Sequence, residues 1–267
     1  MFGNYTSLKH FDSWEVFEPN PTFDPPLKVS VNKEIFSEQS KVSLKDCFVH
    51  SHLFEHLYDH NSILSKIYSS LLEGGKMIFS VPNMERMVNG GYINALNFEH
   101  VTYLSEGLIE HILKINGFSV LDKNYFMDDH SIFYACQKTT EIMDADFNEP
   151  ENKNKIETFF SDALQGIQRL NTEIRELPDD VELYMFGAHI FSQFYLSNGL
   201  DNSKIVSILD NDASKHGCRL YGTELNVTGP EFIKNISKPA VVLKVGSYRD
   251  EIINQLISLN PKTLILE

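Results

Sequence analysis

Short apolar runs alternate with helical repeats along the first half of the chain. WEVFEP, VSVNKEIF, DCFVHS and KMIFSVPN are rich in Val, Ile and Phe and are bounded by Pro, Asn or Gly, a pattern that predicts strands. Between the last two, HNSILSKIYSSLLEGG sets Ile63, Ile67, Leu71 and Leu72 at helical spacing, which predicts a helix ended by Gly74 and Gly75. SEGLIEHILKINGF predicts a second helix, with Ser105 as N-cap, Leu108, Ile109, Ile112 and Leu113 on one face, and Gly117 closing it. FSVLDKNYF and SIFYACQK read as a closing pair of strands. Strands alternating with helices imply an α/β unit built on a mostly parallel sheet.

The pattern breaks at the polar, acidic stretch TTEIMDADFNEPENKNK, where the domain boundary is placed. A long periodic helix follows, carrying Ile156, Phe159, Phe160, Leu164, Ile167, Leu170, Ile174 and Leu177 and stopped by Pro178-Asp179-Asp180. VELYMFG, AHIFSQFYLSNGL, KIVSILDND, AVVLKVGS, RDEIINQLISL and KTLILE then repeat the strand–helix alternation. The division that results is residues 1–140, a linker and long helix over 141–180, and a second, smaller Rossmann-like α/β domain over 181–267.

Charge narrows the partners. The chain has 267 residues and a formal charge of −14, from 23 Lys and Arg against 37 Asp and Glu. So acidic a surface repels phosphate backbones and anionic membranes, which argues against nucleic-acid and membrane partners. Cys47, Cys136 and Cys218 are far apart with no CxxC, so neither a zinc ribbon nor a disulfide framework is expected, and a reducing cytoplasm is the expected compartment. No apolar run approaches membrane-spanning length, and no secretory leader is expected. HSHLFEHLYDH contains an H-x-x-E-H at His52, Glu55 and His56, in form a zinc motif. That motif needs both histidines on one helix face, whereas DCFVHS leads into His52 as a strand; the expectation is a loop at a strand's carboxyl end and no metal.

The segments VHSHLFEHL, LLEGGKMIFSVPN and NFEHVTYLSEGLIEHILKINGF resemble a class I S-adenosylmethionine-dependent methyltransferase, and more narrowly the sugar C-methyltransferase family of bacterial deoxysugar pathways. FGAHIFSQFYLSNGL, ILDNDASKHGCRLYGTELNVTGPEFI and VVLKVGSYRDEIINQL resemble that family's C-terminal Rossmann-like domain. The cysteine-rich zinc domain of the family has no counterpart in the sequence, nor does the strand that precedes its glycine loop; FGNYTSLKHF resembles the tail of that loop. A gap in the sheet beside the cofactor site is therefore expected.

The resemblance implies S-adenosyl-L-methionine as cofactor and a nucleotide-activated sugar or surface-polysaccharide (capsule) precursor as acceptor, in a monomer or homodimer. It assigns Gly3 and Asn4 to the glycine loop, Glu18 to the cofactor ribose, and His52 and Glu55 to the methionine moiety. Glu99 and His100 match the family's catalytic Glu-His pair; histidine suits proton transfer at neutral pH and a carboxylate can orient it. The family's catalytic tyrosine has no match, since Asn97 and Phe98 stand before the pair, so oxygen methylation stays open beside carbon methylation. Gly187, His189, Lys244, Tyr248 and Arg249 are candidates for the acceptor site, with Asp210 at the neighbouring strand end. G-A-H at 187–189 is not a dinucleotide fingerprint. The rival reading is a truncated, catalytically weak or inactive methyltransferase-like binding protein.

Overall fold

The computed structural model describes residues 11–96, 99–126, 130–140, 147, 150–245 and 248–267. Gly3 and Asn4 lie outside the described residues. The strands of the described residues form three sheets. Strands β1 (Trp14–Phe17) and β2 (Val29–Asn32) form a two-stranded parallel sheet. Strands β3 (Lys45–Ser51), β4 (Leu71–Pro82), β5 (Phe118–Phe126) and β6 (Ser131–Lys138) form a four-stranded sheet in the order β3-β4-β6-β5. Only β3 and β4 run parallel in it; β6 is antiparallel to both its neighbours. Among the described residues no strand joins β1 to β3, an interruption between these two sheets. Lys45 Nζ bridges that interruption to Glu15 Oε2 at 2.8 Å, and the Phe36 ring lies edge to face against Phe17 and tilted against Phe48.

Helix α1 (His60–Ser70) packs Leu64 and Ile67 onto the four-stranded sheet and is capped by Asp59, which accepts from Ser62 N–H. It ends earlier than its apolar spacing predicts. Leu71 turns extended (φ −93°, ψ 140°) and pairs with Lys45, and Gly74 (φ 70°) falls in the irregular stretch of β4 before pairing resumes at Lys76. Leu71 and Leu72 fit either period, and strand pairing decides between them. Helix α3 (Glu106–Ile115) begins at the predicted cap, with Ser105 Oγ accepting from Leu108 N–H, and buries Ile109 and Leu113.

The second unit is a five-stranded, all-parallel sheet: β7 (Glu182–Phe186), β8 (Ile205–Leu209), β9 (Val227–Thr228), β10 (Pro239–Leu243) and β11 (Leu264–Leu266). Its order is β11-β10-β7-β8-β9, the doubly wound arrangement, and the direction of winding reverses between β7 and β10. Helices α5 (Ile190–Ser197) and α6 (Arg249–Leu259) serve as crossovers, and the long α4 (Pro150–Glu176) precedes the sheet. Residues from α2 (Met84–Asn89) and the 3-10 turn Ile93–Leu96 share one apolar core with α4 and this second sheet: Met84, Met87, Val88, Ile93 and Ala95 pack with Phe159, Ile167, Leu170 and Met185. Among the described residues no helix is long and apolar enough to cross a membrane.

Candidate functional site

The carboxyl end of β3 gathers the histidine-rich segment. His52 sits just beyond the strand, its N–H donating to Ser80 O at 2.8 Å, with a left-handed φ of 50° that few residues other than glycine adopt. That turn lets the chain drop into a 3-10 turn, Phe54–His56, which buries Phe54 and Glu55. Glu55 is fully buried. Its Oε1 lies 3.1 Å from His52 Nδ1 and 3.9 Å from His56 Nε2, while its Oε2 is sealed from solvent with no partner. The backbone carbonyl of Glu55 accepts from Val101 N–H at 2.9 Å, which ties the 99–102 segment to this turn.

His100 therefore meets a carboxylate, but not that of its chain neighbour. Glu99 is exposed and contributes its backbone carbonyl, 2.8 Å from His56 Nδ1. The charge acting on His100 is that of Glu55. Burial lowers the His100 pKa; Glu55 and a bond to the Ala95 carbonyl oppose that lowering, and His56 and His52 add to it. The His56 and His100 rings meet edge to face at 5.2 Å. His50, earlier on β3, is stacked on Phe79 at 5.0 Å and lies against Phe54, with both ring nitrogens sealed and partnerless; burial lowers its pKa to about 3. Glu18 stands apart from this cluster, at the end of β1, where its Oε1 accepts from Asn20 N–H.

The second sheet has its own loops at the winding reversal. Gly187 follows β7 with φ 98°, and a Cβ there would lie 2.4 Å from His189 Nε2, so only glycine fits. His189 caps α5 by accepting from Phe191 N–H at 3.2 Å. Asp210, at the end of β8, is buried; burial alone would raise its pKa, but the N–H groups of Asp212 and Ala188 and the Lys215 ammonium outweigh it and hold the carboxyl below its usual range. Asp210 Oδ2 accepts from Ala188 N–H at 2.6 Å and from Lys215 Nζ at 3.2 Å. Gly187, His189 and Asp210 thus build a turn whose carboxylate oxygens already accept from Ala188, Asp212 and Lys215.

Lys244 follows β10 and faces a cavity of about 500 Å³ lined also by Val88, Ile93, Asp162, Arg169 and Tyr195. Its ammonium lies 5.8 Å from the Tyr195 ring, and burial lowers its pKa. The other expected acceptor residues do not join it. Tyr248 is exposed, and Arg249 is held by Glu267 through contacts of 2.6 and 2.5 Å. Arg169 and Tyr195 were not singled out by sequence, because each reads as one more position on a periodic helix.

No family model matches the chain, and no curated protein matches it. Solved structures give partial similarity in fold. The N-methyltransferase NodS from Bradyrhizobium japonicum WM9 is 14% identical, with 48% of this chain and 74% of that one covered and a TM-score of 0.35. Its complex with S-adenosyl-L-homocysteine gives 14%, 47%, 66% and 0.35. An S-adenosylmethionine dependent methyltransferase from Mesorhizobium loti is 10% identical, with 43% and 72% covered and a TM-score of 0.36.

Proposed function

We propose that the chain is an S-adenosylmethionine-dependent methyltransferase acting on a nucleotide-activated sugar or surface-polysaccharide precursor. The observation that supports this is the convergence of His52, Glu55, His56 and His100 at the carboxyl end of β3, within the segments that carry the family resemblance. Open α/β sheets bind their ligands at that edge. The donor chemistry fits the cofactor: Glu18, at the parallel end of β1, has a second carboxylate oxygen able to accept from a ribose hydroxyl. The cofactor supplies an electrophilic methyl group on sulfonium.

The chain's own contribution is positioning and one proton. Glu99 and His100 are carried as the catalytic pair, with Glu55 as the carboxylate facing the imidazole. His100 takes the acceptor's proton, and such a base is worth roughly 10²–10⁴-fold. Lys244 and Arg169 present cations to an anionic group of the acceptor in the cavity beside α4. Calorimetric titration of the whole chain with S-adenosylmethionine and S-adenosylhomocysteine is the test: saturable binding supports the reading, and no binding at millimolar cofactor overturns it. The interruption between β1 and β3 favours a second reading, a weak or inactive relative that keeps the fold. It would bind cofactor without transferring methyl.

A further inference from the structure

We propose that Glu55, His56 and His100 form a binding site for a divalent transition-metal ion of the zinc class. One ligand atom from each of the three lies within 4.8 Å of the others. Both imidazoles are oriented as metal-bound histidines are, one nitrogen donating to a backbone carbonyl so that the other offers its lone pair. His56 donates Nδ1–H to the Glu99 carbonyl at 2.8 Å, which leaves Nε2 toward Glu55. The His100 ring bonds the Ala95 carbonyl while its Nδ1 is buried and partnerless, so Nδ1 is the nitrogen left to coordinate.

The carboxylate is prepared in the same way. His52 holds Glu55 Oε1 at 3.1 Å, and Oε2 is fully buried without a donor. A buried anionic oxygen with no partner is costly. The two imidazole lone pairs also face this carboxylate, His56 Nε2 standing 3.9 Å from Oε1, and repel it unless a positive charge sits between them. A metal ion meets all three needs at once.

The donor set selects the ion. Two imidazole nitrogens and one carboxylate oxygen suit zinc and its neighbours, whereas magnesium and calcium prefer oxygen alone. Three protein ligands leave a position open for water or a substrate oxygen. Ligands about 2.0–2.2 Å from a tetrahedral ion stand roughly 3.3 Å apart, so each atom has to close by less than about 1 Å. His56, partly exposed, has room to turn. The H-x-x-E-H pattern thus contributes Glu55 and His56, His100 replaces the first histidine as ligand, and His52 orients the carboxylate.

With Nδ1 on the metal, His100 no longer serves as a base for methyl transfer, so the two roles exclude one another and the site's test reads metal alone. Titrating the whole chain with cobalt(II) should give one equivalent of visible d–d absorption, with Kd of about 10 µM or tighter, reversed by zinc and untouched by millimolar magnesium. Glu55→Gln and His100→Ala should each weaken binding by more than the roughly 10–100-fold that loss of an outer partner costs. Exposed Cys47 and Cys218 are the competing ligands. The Cys47→Ser/Cys218→Ser variant should keep the full spectrum, without thiolate charge-transfer bands in the parent. The spectrum of the unmodified chain decides the donor type even where a variant fails to fold. Absent absorption, sulfur-type bands, or a signal lost with the cysteines would overturn the site. Cofactor binding, present or absent, leaves these outcomes unchanged.

Discussion

His50 makes the acid side of the stability curve measurable. Its ring lies between Phe54 and Phe79, with centroids at 4.6 and 5.0 Å, and neither nitrogen has a partner. Burial lowers its pKa from 6.5 to about 3. A folded pKa below the unfolded one means that the unfolded chain binds the proton first, so stability falls as pH drops below about 6.5 and the loss is complete only near 3. Between pH 7 and pH 5 this one group removes about 2 kcal/mol, since each unit below the unfolded pKa costs roughly 1.4 kcal/mol. His50→Leu keeps an apolar side chain between the two phenyl rings and abolishes the proton uptake. Urea unfolding at pH 7, 6 and 5, followed by far-UV circular dichroism and by emission of Trp14, the single tryptophan, gives the comparison. The gap between variant and parent should widen in the variant's favour by about 2 kcal/mol from pH 7 to pH 5. Parallel curves across that range would refute the argument.

Three further outcomes follow from the geometry. Gly187→Ala adds a Cβ 2.4 Å from His189 Nε2 at φ 98° and should cost about 1–3 kcal/mol in denaturant unfolding; unchanged stability would mean that the turn relaxes freely. His100→Ala should leave the melting temperature nearly unchanged and lower methyl transfer at least about tenfold, and parental turnover would remove His100 from the chemistry. Lys244→Ala should weaken acceptor binding about tenfold, a loss of about 1.4 kcal/mol, with cofactor affinity preserved; equal loss of both would place the cavity beside Lys244 elsewhere in the reaction.

Strands and caps were legible because their signals are local. Ser105 precedes an apolar face of period 3.6 and caps α3 as expected, and the Val- and Ile-rich runs of the second half became a parallel sheet. The end of α1 was not legible, since Leu71 joins the strand through Lys45, a residue distant in sequence. The carboxylate facing His100 was hidden for the same reason: Glu99 is adjacent in the chain, but Glu55 is adjacent in space. Arg249 looked free for phosphate because Glu267, the residue that engages it, comes from the far end of β11. Each miss is a pairing between distant segments, which hydrophobic period does not encode.

The segment from Met84 to Leu96 bears on how such a chain can be recombined. Met84, Met87, Val88, Ile93 and Ala95 bury their side chains with α4 and the second sheet, although the acidic stretch that looks like a seam comes later in the sequence. A chimera joined at that stretch inherits half of an interior from each parent. Its apolar face on α4 meets foreign side chains of the wrong shape, and the mismatch falls beside the Ala95 carbonyl that orients His100. Successful exchange of the C-terminal half therefore requires transplanting residues 84–96 along with it: the unit of inheritance is discontinuous in sequence.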